Sequence, residues 1–232
     1  MAELLCRVES IEALTPLVCA VTLQLDEVIE FEPGQYAQAV MGEQDKRPFS
    51  IANAPIADKK IELHIGSHPQ NTYANEVLEK MRTGEITLSL PHGNAAYQNP
   101  EHRPIILVAG GTGYSYARSI LQSFVNADAF PHPVTLYWGA KNLSDLYEYE
   151  QLQALAKQYE AFTFVPVVEE PPENWQGKTG WVHKAVLQDH DDLSAYQVYV
   201  AGRFEMSKVI RDEFPAVGLA GEHLFGDAFA FI

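Results

Sequence analysis

The sequence predicts two kinds of architecture in one chain, α/β plus all-β: an N-terminal antiparallel β-barrel followed by a doubly wound parallel-sheet domain. Three observations predict this. The N-terminal part is a series of short β-prone runs broken by turns. From Ile105 onward, strand-like and helix-like segments alternate. Between the two, Pro91-His92-Gly93 through Pro100 and Pro104 is turn-rich and carries no period, which places the division at residues 1–98 and 99–232.

The β-prone runs are Cys6–Ile11, Val18–Leu25, Gln35–Val40 and Ile61–Ile65. Thr15-Pro16, Pro33-Gly34 and Ala54-Pro55 punctuate them, a spacing that suits a small antiparallel barrel or sandwich. One helix interrupts, over Tyr73–Met81, with Val77, Leu78 and Met81 on one face and a C-terminal end toward Arg82 and Gly84. In the second part, Ile105–Ala109, Val134–Trp138, Phe162–Val168 and Val198–Ala201 read as strands. Ser115–Val125, Leu146–Tyr159, Val182–Leu187 and Met206–Phe214 read as the helices between and after them. Strands this continuously apolar are covered on both faces, as in a parallel sheet.

Composition narrows the function. Among 232 residues, Lys+Arg 16 against Asp+Glu 31 gives a formal charge of −15, a field that repels nucleic acid and anionic membrane surfaces. Cys6 and Cys19 match no zinc or iron–sulfur spacing and are too few for a disulfide framework. The start has no basic-then-apolar leader pattern, and no apolar run approaches the ~18–20 residues a bilayer span needs. The expectation is a reduced, cytoplasmic protein with no metal.

The most informative segment runs from Ile105 to Ser119. A buried strand opens into Gly110, Gly111, Thr112 and Gly113, and a helix follows at once. Glycines let the main chain approach a ligand, and the first amides of a helix favour a phosphate. No Gly-Lys-Ser/Thr follows, so this is not a Walker loop, and Tyr116 occupies the third position of a GxGxxG pattern. Alone, the segment is also compatible with a merely tight turn. Two further strand exits carry glycines, at Tyr137-Trp138-Gly139-Ala140 and at Ala201-Gly202-Arg203-Phe204-Glu205-Met206. Open α/β sheets bind ligands at the carboxyl ends of their strands, so three glycine exits on one edge point to a dinucleotide.

In the barrel part, Lys46-Arg47-Pro48-Phe49-Ser50-Ile51-Ala52 packs a cation, a rigid proline, an aromatic and a hydroxyl into four consecutive residues. Alone, Arg47 reads as a solvated strand charge and Ser50 as a turn hydroxyl. Taken in order, Arg-Pro-Phe-Ser, Gly-Gly-Thr-Gly, Tyr-Trp-Gly and Ala-Gly-Arg resemble the ferredoxin–NADP reductase superfamily. Within it, the pattern is most similar to the bacterial NAD(P)H-flavin oxidoreductases. Glu62-Leu-His-Ile-Gly66, Gly202-Arg-Phe-Glu-Met206 and the ending Leu224-Phe-Gly-Asp-Ala-Phe-Ala-Phe-Ile232 extend the resemblance nearly end to end.

The resemblance implies that Arg47, Pro48, Phe49 and Ser50 line the isoalloxazine ring, with the Ser50 hydroxyl near N5, the hydride acceptor. It further implies His64, Ile65, Gly66 and Thr72 beside the flavin, with Phe229 and Phe231 packing near it; Phe229 also suits plain core filling. The nucleotide, NADH or NADPH, falls to Gly110, Gly111, Thr112, Gly113, Tyr114 and Ser115, with Trp138 and Gly139. Gly202, Arg203, Phe204 and Met206 flank its nicotinamide end.

The loop Gly66–Asn75 contains His68 but no Arg or Lys, so a flavin phosphate gains little there. Flavin (FMN, riboflavin or FAD) is therefore expected as a diffusible substrate held by ring and ribityl chain. Its reduced form would pass to a downstream acceptor such as a flavin-dependent monooxygenase or luciferase. Stacking nicotinamide C4 on flavin N5 is the main catalytic task, so no general base is nominated. His64 and His92 each suit a structural or solvent-facing role. Lys141, followed by Asp145 and Glu148, permits NADPH without demanding it, and NADH is favoured. Two other readings remain at this stage: a reductase with tightly bound FAD serving a protein partner, and a non-enzymatic nucleotide sensor.

Overall fold

The structure, a computed structural model, describes residues 2–230 and 232. It groups into two compact units. The first takes the chain up to Tyr97 together with Arg118–Ser123; the second takes Gln98–Ala117 and the chain from Phe124 onward. Among the described residues, no helix is long and apolar enough to cross a membrane.

The first unit contains β1 (Ala2–Thr15), β2 (Val18–Gln24), β3 (Tyr36–Gly42), β4 (Asp45–Ser50), β5 (Lys60–Gly66), helix α1 (Thr72–Met81) and β6 (Glu85–His92). The strands form an antiparallel sheet in the order β4-β3-β6-β1-β2-β5. A bridge between Ile51 and Leu63 then joins its first strand to its last, closing the barrel. Alternation along each strand fills the interior: Val21 and Leu23 from β2, Ile61, Leu63 and Ile65 from β5, and Ile86, Leu88 and Leu90 from β6 are all buried. Helix α1 adds Val77, Leu78 and Met81 to the same core. Its side chain-capped start is Asn71, whose Oδ1 accepts from the Ala74 amide at 3.2 Å. Burial raises the Cys6 thiol to about 11, so it packs as a small apolar group.

Three strand readings differ from the structure for identifiable reasons. β1 is longer than Cys6–Ile11 because its first half pairs with β6 and its second with β2. β6 is not read as a strand, and its last two residues, Pro91 and His92, fall within the stretch read as a boundary. β4, read only as a motif, is a strand whose buried Arg47 interrupts the apolar alternation.

The second unit contains β7 (Ile105–Gly110), the two ends of α2 (Tyr114–Asn126), whose Arg118–Ser123 stretch groups with the first unit, β8 (Val134–Ala140), α3 (Tyr149–Gln158) and β9 (Phe162–Val168). It continues with β10 (Lys178–Thr179), α4 (Val182–Asp189), β11 (Gln197–Ala201), α5 (Phe204–Glu213) and β12 (Leu224–Phe225). All its strand pairs are parallel, in the order β10-β9-β8-β7-β11-β12. The chain starts in the middle and winds outward both ways, the doubly wound pattern, with its switch point between β7 and β11. Ile106, Val108, Val198 and Val200 meet Val186 from α4 and Ile210 from α5 in the core. α3 starts later than Leu146 because Asn142 and Asp145 cap a separate 3-10 turn, Leu143–Asp145, after which the chain leaves helical geometry at Leu146. After α5, Phe214–Val217 form a 3-10 turn capped by Gly218 (φ +90°), and β12 docks beside β11.

Leu63 is fully buried at the barrel seam. Leu63→Ala is expected to destabilise the protein by about 2–5 kcal/mol, read as a lowered urea midpoint.

Candidate active site

Along the ligand edge of the parallel sheet, β7 is buried to Ala109 and then turns at Gly110. Gly111 adopts φ +53°, and Gly111–Gly113 form a 3-10 turn leading into α2. The first amides of such a helical start have no intrahelical acceptor and point along the β7 exit. A Cβ on Gly113 would lie 2.3 Å from the Ala201 carbonyl oxygen, and one on Gly202 would lie 2.7 Å from Met206 Cε. Three nominated stretches, Gly110–Gly113, Gly202 and Met206, therefore meet at one point. Gly113 and Gly202 are thus points where the chain packs on itself, whereas an added Cβ on Gly111 would meet nothing within 4 Å, so the main chain open to an anionic group such as a pyrophosphate is at Gly111.

The aromatic residues around the turn act on it from below. Trp138 is fully buried, and its Nε1 donates to the Gly111 carbonyl at 3.0 Å. Tyr114 stacks on Trp138 with centroids 3.9 Å apart and donates its hydroxyl to Glu148 at 2.6 Å. Ser115 is buried and donates Oγ to the Thr112 carbonyl at 3.0 Å. These side chains brace the loop, leaving Gly111, Thr112 and Gly113 as its accessible part. Gly139 lets Val182 of α4 pack against the β8 exit. Arg203 and Phe204 are exposed at the start of α5. Phe229 packs on the second unit's core beside Gly226. Phe231 lies outside the described residues.

In the first unit, period-2 alternation puts Pro48 and Ser50 on one face of β4 and Arg47 and Phe49 on the other. Phe49 packs against the barrel core, and Ile65 is inside it. The bridge at Ile51–Leu63, continued by the Ala52 amide donating to the Glu62 carbonyl at 2.8 Å, sets Ser50 opposite His64. The outer barrel face thus brings together Pro48, Ser50, His64 and Gly66.

Arg47 is buried and multiply bonded. It forms a two-pronged pair with Asp45 (2.9 and 2.7 Å), reaches Glu76 at 2.7 Å and donates to the Tyr73 carbonyl at 2.6 Å. Its guanidinium also lies over the Tyr73 ring at 4.6 Å. The hydrogen bonds it donates to Asp45 and then Glu76 hold it firmly charged, and it lowers Asp45 in return. It anchors β4 to the start of α1, bringing the Arg47–Ser50 motif to Thr72. The loop before Thr72 is held by asparagines: Asn71 Nδ2 donates to the Gly66 carbonyl and Asn75 Nδ2 to that of His68.

Two residues without an assigned role complete this face. Glu62 meets His64 Nε2 at 2.8 Å and Arg118 at 3.4 Å, while Arg118 donates to the Ala52 carbonyl at 3.0 Å. Glu62 and His64, two apart on one strand, were detectable as same-face neighbours; no local signal brings Arg118 to them. Burial pushes the Glu62 carboxyl up, but the His64 hydrogen bond and the Arg118 charge outweigh it, and the net shift is downward. His92 is structural: its Nε2 lies 2.9 Å from Ser89 Oγ and its ring stacks on Tyr36.

Gly113→Ala is expected to cost about 1–3 kcal/mol of stability, because the obstructing atoms are backbone, and to weaken pyridine-nucleotide binding. Urea unfolding and calorimetric titration check both. The depressed Glu62 carboxyl stabilises the fold above the ordinary glutamate range, and that stabilisation is lost as pH falls through its lowered value. The urea-midpoint gap between wild type and Glu62→Gln is therefore expected to shrink from about pH 6 toward about pH 3.

Residues 107–212 match the family model for the oxidoreductase NAD-binding domain. In fold, the chain is similar to the cytochrome b5 reductase domain of Ulva prolifera nitrate reductase, with a TM-score of 0.82, 15% identity and 96% of each chain covered. In sequence it is 45% identical to a Vibrio harveyi NAD(P)H-flavin reductase and 44% identical to one from Aliivibrio fischeri, with 98% of each chain covered in both cases. With such identity running through both units, the glycine turn and the Arg47–Ser50 strand alike, this chain belongs to the NAD(P)H-flavin reductase family.

Proposed function

We propose that the chain transfers hydride from NADH or NADPH to free flavin (FMN, riboflavin or FAD) and releases the reduced flavin. The observation that carries this reading is the full-length similarity to chains named NAD(P)H-flavin reductase. The main chain left open at Gly111, with Gly113 and Gly202 packed behind it, supports it for the pyridine nucleotide. In this reading residues 1–98 serve the flavin and 99–232 the nucleotide.

The chemistry is a two-electron transfer: hydride leaves nicotinamide C4 and arrives at flavin N5, with a solvent proton completing the reduction. The protein's part is positioning. Ser50 directs its hydroxyl at N5. Pro48 and the backbone of Phe49 give the ring a flat, rigid support beside it. His64, fixed by Glu62, and Gly66 border the ring from the neighbouring strand, with Ile65 contributing backbone and Thr72 opening the helix beyond. Arg47 and Phe229 act as supports. Gly110, Gly111, Thr112 and Gly113 take the pyrophosphate, braced by Tyr114, Ser115, Trp138 and Gly139. Gly202, Arg203, Phe204 and Met206 border the nicotinamide.

Loose binding of flavin follows from charge. The loop from Gly66 to Asn75 carries no Lys or Arg, and the guanidinium that reaches the start of α1 is already paired with Asp45 and Glu76. A flavin phosphate there finds little uncompensated positive charge. Reduced flavin is then free to diffuse to a flavin-dependent monooxygenase or luciferase.

Freshly desalted protein is expected to oxidise NADH only when riboflavin or FMN is added, with a rate that saturates in flavin. A yellow protein reducing ferricyanide equally well without added flavin would instead establish a bound FAD and a protein partner. Ser50→Ala is expected to lower kcat by roughly tenfold or more while leaving the KM for NADH within about threefold. Unchanged turnover would remove Ser50 from N5.

A further inference from the structure

The segment that carries the chain away from Ser50 is fixed more heavily than a connecting turn requires. Ile51, Ala52, Asn53 and Ala54 are all buried, although beyond the Ile51–Leu63 bridge they belong to no strand. Irregular backbone is usually kept at the surface, where water satisfies its amides and carbonyls. Here two elements supply the partners. From β5, the Glu62 carbonyl accepts from the Ala52 amide at 2.8 Å, and the Lys60 carbonyl accepts from Asn53 Nδ2 at 3.0 Å. From α2, Arg118 Nη1 donates to the Ala52 carbonyl at 3.0 Å and Ser119 Oγ to the Asn53 carbonyl at 2.8 Å, while Gln122 Oε1 accepts from the Ala54 amide at 3.3 Å. Positions 118, 119 and 122 share one helical face, and that stretch of α2 groups with the barrel.

Arg118 also carries a charge into this packing. The same Nη1 lies 3.4 Å from Glu62 Oε1, the carboxylate oxygen that His64 Nε2 meets at 2.8 Å. The contacts close into a circuit. Ala52 is held through its amide by the Glu62 main chain and through its carbonyl by Arg118, and Arg118 is held by the Glu62 side chain. Both charges are largely withdrawn from water, with 13% of the Arg118 side chain and 27% of the Glu62 side chain exposed. Removing either one leaves the other without its counter-charge. An ionised carboxylate only accepts, so the contact with Glu62 puts a His64 proton on Nε2. Ser50, two residues before Ala52, and His64, two after Glu62, flank the circuit, and they are the same two residues that the reductase reading sets beside the flavin.

We propose that Arg118 and Glu62 are positioning residues for flavin reduction: the pair fixes the exit of β4 and the His64 ring, and so sets where the flavin lies against Ser50. The proposal rests on the flavin-reductase reading above and extends it to two residues that touch no reacting atom. Arg118 acts through the Ala52 carbonyl, and Glu62 acts through the His64 ring. Neither gains or loses a proton as hydride moves.

The test uses Arg118→Met, Arg118→Lys, Glu62→Gln and the Arg118→Met/Glu62→Gln double variant, each assayed where its urea midpoint shows it fully folded. Steady-state kinetics give kcat and both KM values, and quenching of riboflavin fluorescence gives flavin affinity without turnover. Arg118→Met is expected to lower kcat by about tenfold or more and to weaken riboflavin binding by about threefold or more, with the KM for NADH within about threefold of wild type. Arg118→Lys, which restores a charged donor, is expected to recover most of the kcat. Because the two residues act as one unit, the double variant is expected to fall little below the worse single variant. A folded Arg118→Met protein with wild-type kcat and riboflavin affinity would overturn the proposal. So would losses that fall equally on flavin and NADH, or losses in the two single variants that simply multiply in the double. Should Arg118→Met not fold, Arg118→Lys and Glu62→Gln are judged by the same split between flavin and NADH. If wild type oxidises no NADH with flavin present, the reductase reading falls, and riboflavin quenching alone decides this one: weaker binding in the variants upholds it, while unchanged affinity, or no binding by wild type, sinks it.

Discussion

A methyl group on Gly113 would sit 2.3 Å from a backbone oxygen of Ala201, and the ligand edge of the parallel sheet is arranged around that near-contact. The close approach draws the exit of β11 against the start of α2, so the glycine turn begins its helix immediately. Neither backbone can move without the other, which gives the amides of Gly111–Gly113 a fixed aim. Trp138 completes the restraint by holding the Gly111 carbonyl from beneath. Loop geometry here comes from packed backbone and a buried indole rather than from contact with a ligand, which suits a site that must accept and release a nucleotide at every turnover.

The barrel solves a similar problem by closure. Because Ile51 bridges Leu63, the short motif on β4 faces β5 instead of ending at an open edge. Ser50 and His64 become neighbours through backbone register alone. Arg47 then ties the strand to α1 with its charge balanced by Asp45 and Glu76. A guanidinium so fully engaged holds the strand and the helix start together.

What the sequence disclosed was mostly local. The run Ile105–Ala109, its glycines and the helix behind them were legible because burial on both faces leaves an unbroken apolar string, and glycine clusters have few other uses. β6 was obscured because Pro91 within its end and Gly93 just after it resemble linker chemistry, although Ile86, Leu88 and Leu90 alternate faithfully. The start of α3 was misjudged because Leu146 keeps the apolar rhythm while its backbone leaves the helix. In the candidate site, the glycines, Ser50 and His64 could be nominated from motif and resemblance. Arg118 reaching Glu62 and Ala52 could not, since it joins residues more than fifty positions apart and depends on how strands and helix pack.

The sheet borders carry a consequence for the protein's behaviour at high concentration. An open strand edge is a template on which another chain can add, and β proteins suppress this hazard in a few recurrent ways. The barrel, once bridged, has lost its edges at that seam, and Pro48 withholds an amide from β4. The parallel sheet ends on both sides in strands of two residues, β10 and β12, too short to nucleate intermolecular pairing. With a net charge of −15 adding mutual repulsion, crowding this chain should leave it dispersed rather than fibrillar.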